Sequence, residues 1–224
     1  MLLKNLRPAN DYDRFANETL APWDLLFIGR VRQIARGMQP GTLVDIGTAT
    51  AVVPVRLAAE KVMAGWRFIG VDLDPTMLDE GVPRIRELGL ADRIELQVGD
   101  AQALPFADGS LAMSVSRATL HHLPDKALGL REMYRVLQPG GVGLVHDMRR
   151  DAPQAILDRF TEMRAAANYP PSHVEEKLTL DEARAVVAEA GLADVAIVSS
   201  PNAGISALGY EIYIKKPAQP GAVA

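Results

Sequence analysis

Apolar and polar residues along this chain fall into short blocks whose period switches between strand-like and helix-like. Leu43-Val44-Asp45-Ile46 is a compact apolar run closed by an acid and by Gly47, and a helical pattern starts near Val52. Trp66-Arg67-Phe68-Ile69-Gly70-Val71 repeats the plan and ends in Asp72. Continuing in this way, the pattern predicts strands over 42–46, 67–71, 93–98, 110–116 and 141–147. Helices are predicted between them over 51–64, 75–88 and 125–137. Such alternation implies an α/β fold, a doubly wound, Rossmann-like parallel sheet with helices on both faces. Pro54 falls in the first turn of its helix, where proline is best tolerated.

The flanks read differently. Residues 10 to 38 are helical in pattern, as two helices broken near Ala21-Pro22. Helical patterns recur over 151–168 and 179–190, the second opened by Thr179 and Glu182 in capping-box spacing. Two β-rich runs follow, Val195 to Val198 and Tyr210 to Ile214, and Lys215 to Ala224 reads as a frayed tail.

Composition narrows the function classes. The 224 residues suffice for one domain with a sheet between helical layers, and 48% are hydrophobic. Net charge is −4 and the isoelectric point about 5.6, with no basic arm, which argues against a nucleic-acid partner held by its phosphates. Cysteine is absent, so disulfides, thiolate metal sites and a cysteine nucleophile are excluded in this chain. No apolar run is long enough to span a bilayer and no signal-peptide pattern opens the chain, so a cytoplasmic protein without a membrane partner is expected. The sequence gives no oligomeric state.

The strand-end residues carry the chemistry. A turn after Ile46, with Gly47 allowing close backbone approach, aims N–H groups into the crevice beyond the strand. Asp72, at the tip of the neighbouring strand, can accept hydrogen bonds from both ribose hydroxyls of an adenosine ligand. Together they describe a nucleoside site. Val98-Gly99-Asp100-Ala101, Leu104-Pro105-Phe106, Ser116 to Leu123 and Arg135 to Gly141 follow in order. With the first two motifs they resemble the class I S-adenosylmethionine-dependent methyltransferases, in particular the small-molecule, ubiquinone/menaquinone-type branch. The resemblance is close over about 40 to 150 and in outline elsewhere.

The resemblance implies a seven-stranded sheet ending in a C-terminal antiparallel hairpin, with an N-terminal helical lid. Residues 1–38 would be that lid, 39–150 the cofactor-binding core, and 151–215 the substrate-side helices and terminal hairpin of one domain. It implies S-adenosyl-L-methionine as cofactor and methyl transfer to a small-molecule acceptor. Gly47 would lie against the methionine part, Leu73 on the adenine face, and Asp100 with Ala101 would read the adenine. Asp45 would hydrogen-bond the turn or face the cofactor amino group. Tyr12 would fold over the cofactor from the lid. Ser116 and Arg117 end the fourth strand, with Arg117 aimed at a carboxylate of cofactor or acceptor.

His121 and Asp147 are the candidate proton acceptors, although the His121-His122 pair also fits a turn in which one ring packs near the cofactor. Lacking a third ligand, the pair is not expected to hold a metal. Arg149, His146, Tyr169 and His173 are available on the acceptor side, and Tyr169-Pro170-Pro171 reads as a substrate loop. The acceptor is expected between the N-terminal helices, the fourth strand's end and residues 147 to 173. The family's glycine turn is usually D-x-G-x-G-x-G, and here Ala49 and Ala51 replace the later glycines. Two alternatives follow: a cofactor-binding protein on this fold without methyl transfer, and a nicotinamide-dependent oxidoreductase.

Overall fold

The structure is a computed structural model that describes residues 21–166, 168, 171–201 and 204–218, with the side chains of residues 21 and 22 outside the description. Its elements are α1 (Ala21–Ala35), β1 (Thr42–Ile46), α2 (Val52–Ala58), β2 (Arg67–Asp72), α3 (Pro75–Glu87), β3 (Ile94–Val98) and β4 (Leu111–Arg117). They continue as α4 (Lys126–Val136), β5 (Leu137–Met148), α5 (Gln154–Ala166), α6 (Leu180–Glu189), β6 (Ala196–Ser199) and β7 (Gly209–Lys215). The seven strands form one sheet of order β3-β2-β1-β4-β5-β7-β6. β1 to β5 are parallel, and β7 runs antiparallel between β5 and β6, the hairpin ending expected.

The order reverses at β1 and β4, so the carboxyl ends of β1, β2 and β4 open on one crevice, the usual ligand position of such sheets. One face of the sheet packs Leu130, Met133 and Val136 of α4 and Val187 of α6. The other packs Phe27, Ile28 and Val31 of α1, Val53 and Leu57 of α2, and Ile85 of α3. Trp23, Phe27, Ile28, Val31 and Ala35 share one face of α1 and build this helix into the core, while Leu25 and Leu26 remain exposed on the other side.

Caps fix the helix starts around the crevice. Asp74 accepts from the Thr76 N–H at 2.9 Å with Pro75 following it, and Asp125 accepts from the Leu128 N–H at 2.7 Å. Thr179 and Glu182 form the expected capping box. Two boundaries differ from the sequence reading by four residues or more. The helix expected over 51–64 ends at Ala58, and a short 3-10 turn at Lys61–Met63 delivers Met63 to the core. The fifth strand begins at Leu137, because Leu137 pairs Leu111 before an irregularity over Pro139 and Gly140 shifts the register to Met113–Val142.

Candidate functional site

The turn after β1 is held by backbone bonds: Gly47 and Thr48 N–H both donate to Val71 O, at 2.8 and 3.0 Å. Gly47 has φ 71°, and a Cβ there would come within 2.2 Å of the Thr119 hydroxyl. Glycine is therefore required by the Thr119 contact as well as by the turn. Ala49 and Ala51 both take left-handed backbone, at φ 49° and 62°, and so does Ala118, at φ 54°. The sequence left open whether the two turn alanines adopt this conformation. They do, in a region that glycine occupies without steric cost.

Asp72 joins β2 to this turn. Its Oδ2 accepts from the Ala49 N–H at 2.8 Å and its Oδ1 from the Asp74 N–H at 3.0 Å. Burial raises its pKa, and those N–H donors offset the rise only in part. The carboxylate keeps acceptor capacity beyond these bonds, and the residue lines the cavity described below. Asp45 is placed differently from the direct-contact alternative. It is buried at 2% exposure under the turn and does not line the cavity. Burial raises its pKa to about 7 against the lowering effect of the Thr48 hydroxyl and Arg117.

Leu73, Asp100 and Ala101 line the cavity beside Asp72. Leu73 is exposed, and Asp100 Oδ1 accepts from the Gln102 N–H at 2.8 Å. Ser116 is not at this wall: its hydroxyl donates to Ile46 O at 3.0 Å and cross-links β4 to β1 out of the cavity. Arg117 reaches the cavity, but its Nε lies 3.0 Å from Asp24 Oδ1, both side chains buried. That contact is an ion pair rather than an aligned hydrogen bond. The carboxylate beside Arg117 is thus the protein's own, supplied by α1. Asp24 also takes Arg56 Nη1 at 2.9 Å.

At the far end of the crevice, Asp147 is fully buried and does not line the cavity, contrary to the expectation that it faces the acceptor. It accepts from the His121 N–H at 3.0 Å, from His121 Nδ1 at 2.8 Å and from the Met148 N–H at 2.7 Å. Burial would raise this carboxyl, but the His121 contacts outweigh it and hold the pKa below the usual range. An ionised Asp147 fixes the proton of His121 on Nδ1, leaving Nε2 as the basic nitrogen of a ring that lines the cavity. The neighbouring His122 ring, 3.8 Å away centre to centre, is pulled down to about 3 by burial and by His121, so it stays neutral.

A cavity of about 370 Å³ joins these groups. One end is walled by Gly47, Asp72, Leu73 and Asp100, and the other by Trp23, His121, Met148 and Lys177. Tyr12, Tyr169 and Pro170 lie outside the described residues, while His173 lines the cavity with its ring 3.2 Å from Glu175. His146 is buried and accepts from Trp23 Nε1 at 2.8 Å, which ties α1 to the end of β5. Arg149 turns away to pair with Asp151 at 2.8 Å. Among the described residues no cluster of His, Asp and Glu is placed to hold a metal, and no helix is long and apolar enough to cross a membrane.

Sequence reasoning missed Trp23, Thr119, Met148 and Lys177. No local signal separates them, because their roles arise where distant segments meet.

Residues 44–145 match the family model described as "Methyltransferase domain". Over these residues the chain is similar to the class I S-adenosylmethionine-dependent methyltransferases, whose sheet order it shares. It is 33% identical over 115 residues to the ubiquinone/menaquinone biosynthesis C-methyltransferase UbiE of Geotalea uraniireducens, covering 51% of this chain and 48% of that protein. It is 31% identical over 166 residues to the arsenite methyltransferase of Halobacterium salinarum, covering 71% of this chain and 39% of that protein. The matches to these relatives thus span less than half of their length. Among solved structures, the SAM-dependent methyltransferase of Aquifex aeolicus superposes with TM-score 0.68 at 17% identity, over 94% of this chain and 99% of that one. That likeness is one of fold.

Proposed function

We propose that this protein transfers a methyl group from S-adenosylmethionine to a small organic acceptor, with the Asp147-held His121 as the group that takes up the acceptor's proton. The observation that carries the reading is the cavity itself. It runs from an adenosine-type cradle at Gly47, Asp72 and Asp100 to the His121 ring. The ubiquinone/menaquinone-type relatives support a small acceptor. The chain has no cysteine, so it offers no thiolate for a soft acceptor such as arsenite.

The residues present fit the cofactor. The remaining acceptor capacity of Asp72 would suit ribose hydroxyls, Leu73 would offer an apolar face to adenine, and Asp100 with Ala101 would hold the adenine edge. When bound, the cofactor supplies an activated methyl group on a sulfonium leaving group. The chain's own work is positioning and exclusion of water. Trp23 and Met148 give the acceptor end apolar walls. His121 Nε2 accepts the proton that an acceptor hydroxyl or acidic carbon loses, and Asp147 stabilises the imidazolium. On this reading residues 39–150 hold the cofactor and α1 with 151–215 shape the acceptor end.

The test is incubation with S-adenosylmethionine and a panel of phenols, enols, amines and organic acids, read by mass spectrometry. The expected result is an acceptor gaining one methyl group, with S-adenosylhomocysteine formed in equal amount. Cofactor binding without turnover of any acceptor class would favour the non-methylating alternative instead.

A further inference from the structure

Lys177 lies in the segment between α5 and α6, at the end of a 3-10 turn over Val174–Glu176. The backbone around it is anchored to the end of β5. Arg150 N–H donates to Leu178 O at 3.1 Å, and Arg149 and Leu178 form a parallel bridge. This places the Lys177 side chain against the cavity wall, only 7% exposed. Its ammonium makes no side-chain hydrogen bond or ion pair with any described residue. Burial lowers its pKa, countered by the fields of Asp147, Glu176 and Glu175.

The neighbouring charges do not supply its partner. Asp147 is already engaged by the two His121 donors and the Met148 N–H. Glu175 is exposed beside His173, and Glu176 is exposed at the cavity rim. Arg164, also on the wall and buried, adds positive charge. The ammonium opens on the cavity instead of being sealed in the core, so its donors are left to a ligand, and a sulfonium brought into the same cavity would add a second positive charge. An anion between them offsets both.

We propose that the methyl acceptor is a carboxylic acid whose carboxylate is held by Lys177, an inference that rests on the methyltransferase reading above. A carboxylate fits this single lysine ammonium, which can hold one monoanion as a point charge. The apolar walls at Trp23, Leu123 and Met148 suit an aromatic or branched aliphatic body attached to that carboxylate.

The experiment uses the full chain saturated with S-adenosylhomocysteine. It is titrated calorimetrically with aromatic and branched aliphatic carboxylates, each paired with its primary amide. Acids should bind about ten- to a hundred-fold more tightly than their amides, the range expected of one charge-assisted hydrogen bond. Lys177→Met should abolish that preference, and Lys177→Arg should restore part of it, with S-adenosylhomocysteine affinity unchanged in both. Equal binding of acids and amides, or no acid binding at millimolar concentration, overturns the proposal. So does a Lys177→Met variant that keeps the preference, or one that loses cofactor affinity instead. Absence of heat with S-adenosylhomocysteine itself sinks the methyltransferase reading and this proposal with it. Cofactor binding without acid preference sinks this proposal alone.

Discussion

Asp147 grips His121 twice, through the backbone N–H at 3.0 Å and the ring Nδ1 at 2.8 Å. The strand-end carboxylate therefore fixes both the position and the tautomer of a ring on the cavity wall. His121→Gln should lower turnover by roughly 10²-fold or more, the range for loss of a general base, while cofactor affinity changes little. Steady-state kinetics on an acceptor with a proton to lose, beside calorimetry, checks this. Unchanged turnover would leave His121 a packing residue.

Asp72 binds the turn before any ligand arrives, so its replacement has two effects. Asp72→Ala should lose roughly 1.5–3 kcal/mol of charge-assisted hydrogen bonding to the ribose, one to two decades in affinity. It also frees the Ala49 N–H and loosens the turn. Parent-like binding with an intact fold would remove Asp72 from the site.

Ala49 and Ala51 share a strained conformation but differ in packing. Ala49 lines the cavity, whereas the Ala51 methyl is fully buried in the core. Ala49→Gly should stabilise the fold by roughly 0.5–1 kcal/mol, relief of left-handed strain less the added unfolded-state freedom. Ala51→Gly should gain less, because it also deletes a packed methyl. Urea denaturation of the two variants decides it, and destabilisation by Ala49→Gly would show that the methyl is needed.

Asp45 makes a pH prediction. Its folded pKa of about 7 exceeds the ordinary carboxylate value of 3.8, so the folded state binds the proton more tightly. The associated stability is fully present below about pH 4 and is lost as pH rises through 7, on the order of a few kcal/mol. Asp45→Asn should flatten stability across that window. An unchanged pH dependence would contradict the assignment.

The parallel core was legible because its strand and helix periods are clean and each strand ends in a turn residue or an acid. Gly47, Asp72 and Asp100 could be read at strand tips for the same reason. Arg117, Ser116 and Asp147 were located correctly but aimed wrongly. Each is engaged by a residue far along the chain — Asp24, Ile46 and His121 — and sequence spacing does not report such partners. The N-terminal segment read as a helical lid, yet Phe27 and Ile28 are core residues, so removing residues 1–30 would cost the fold as well as the pocket wall.

The central claim is a cofactor site, and calorimetric titration of the full chain with S-adenosylmethionine and S-adenosylhomocysteine tests it most directly. Both should bind at a single site, and ligand at 100 times its dissociation constant should stabilise the fold by about 2.7 kcal/mol. No heat and no shift in thermal unfolding with either compound at millimolar concentration would contradict the account.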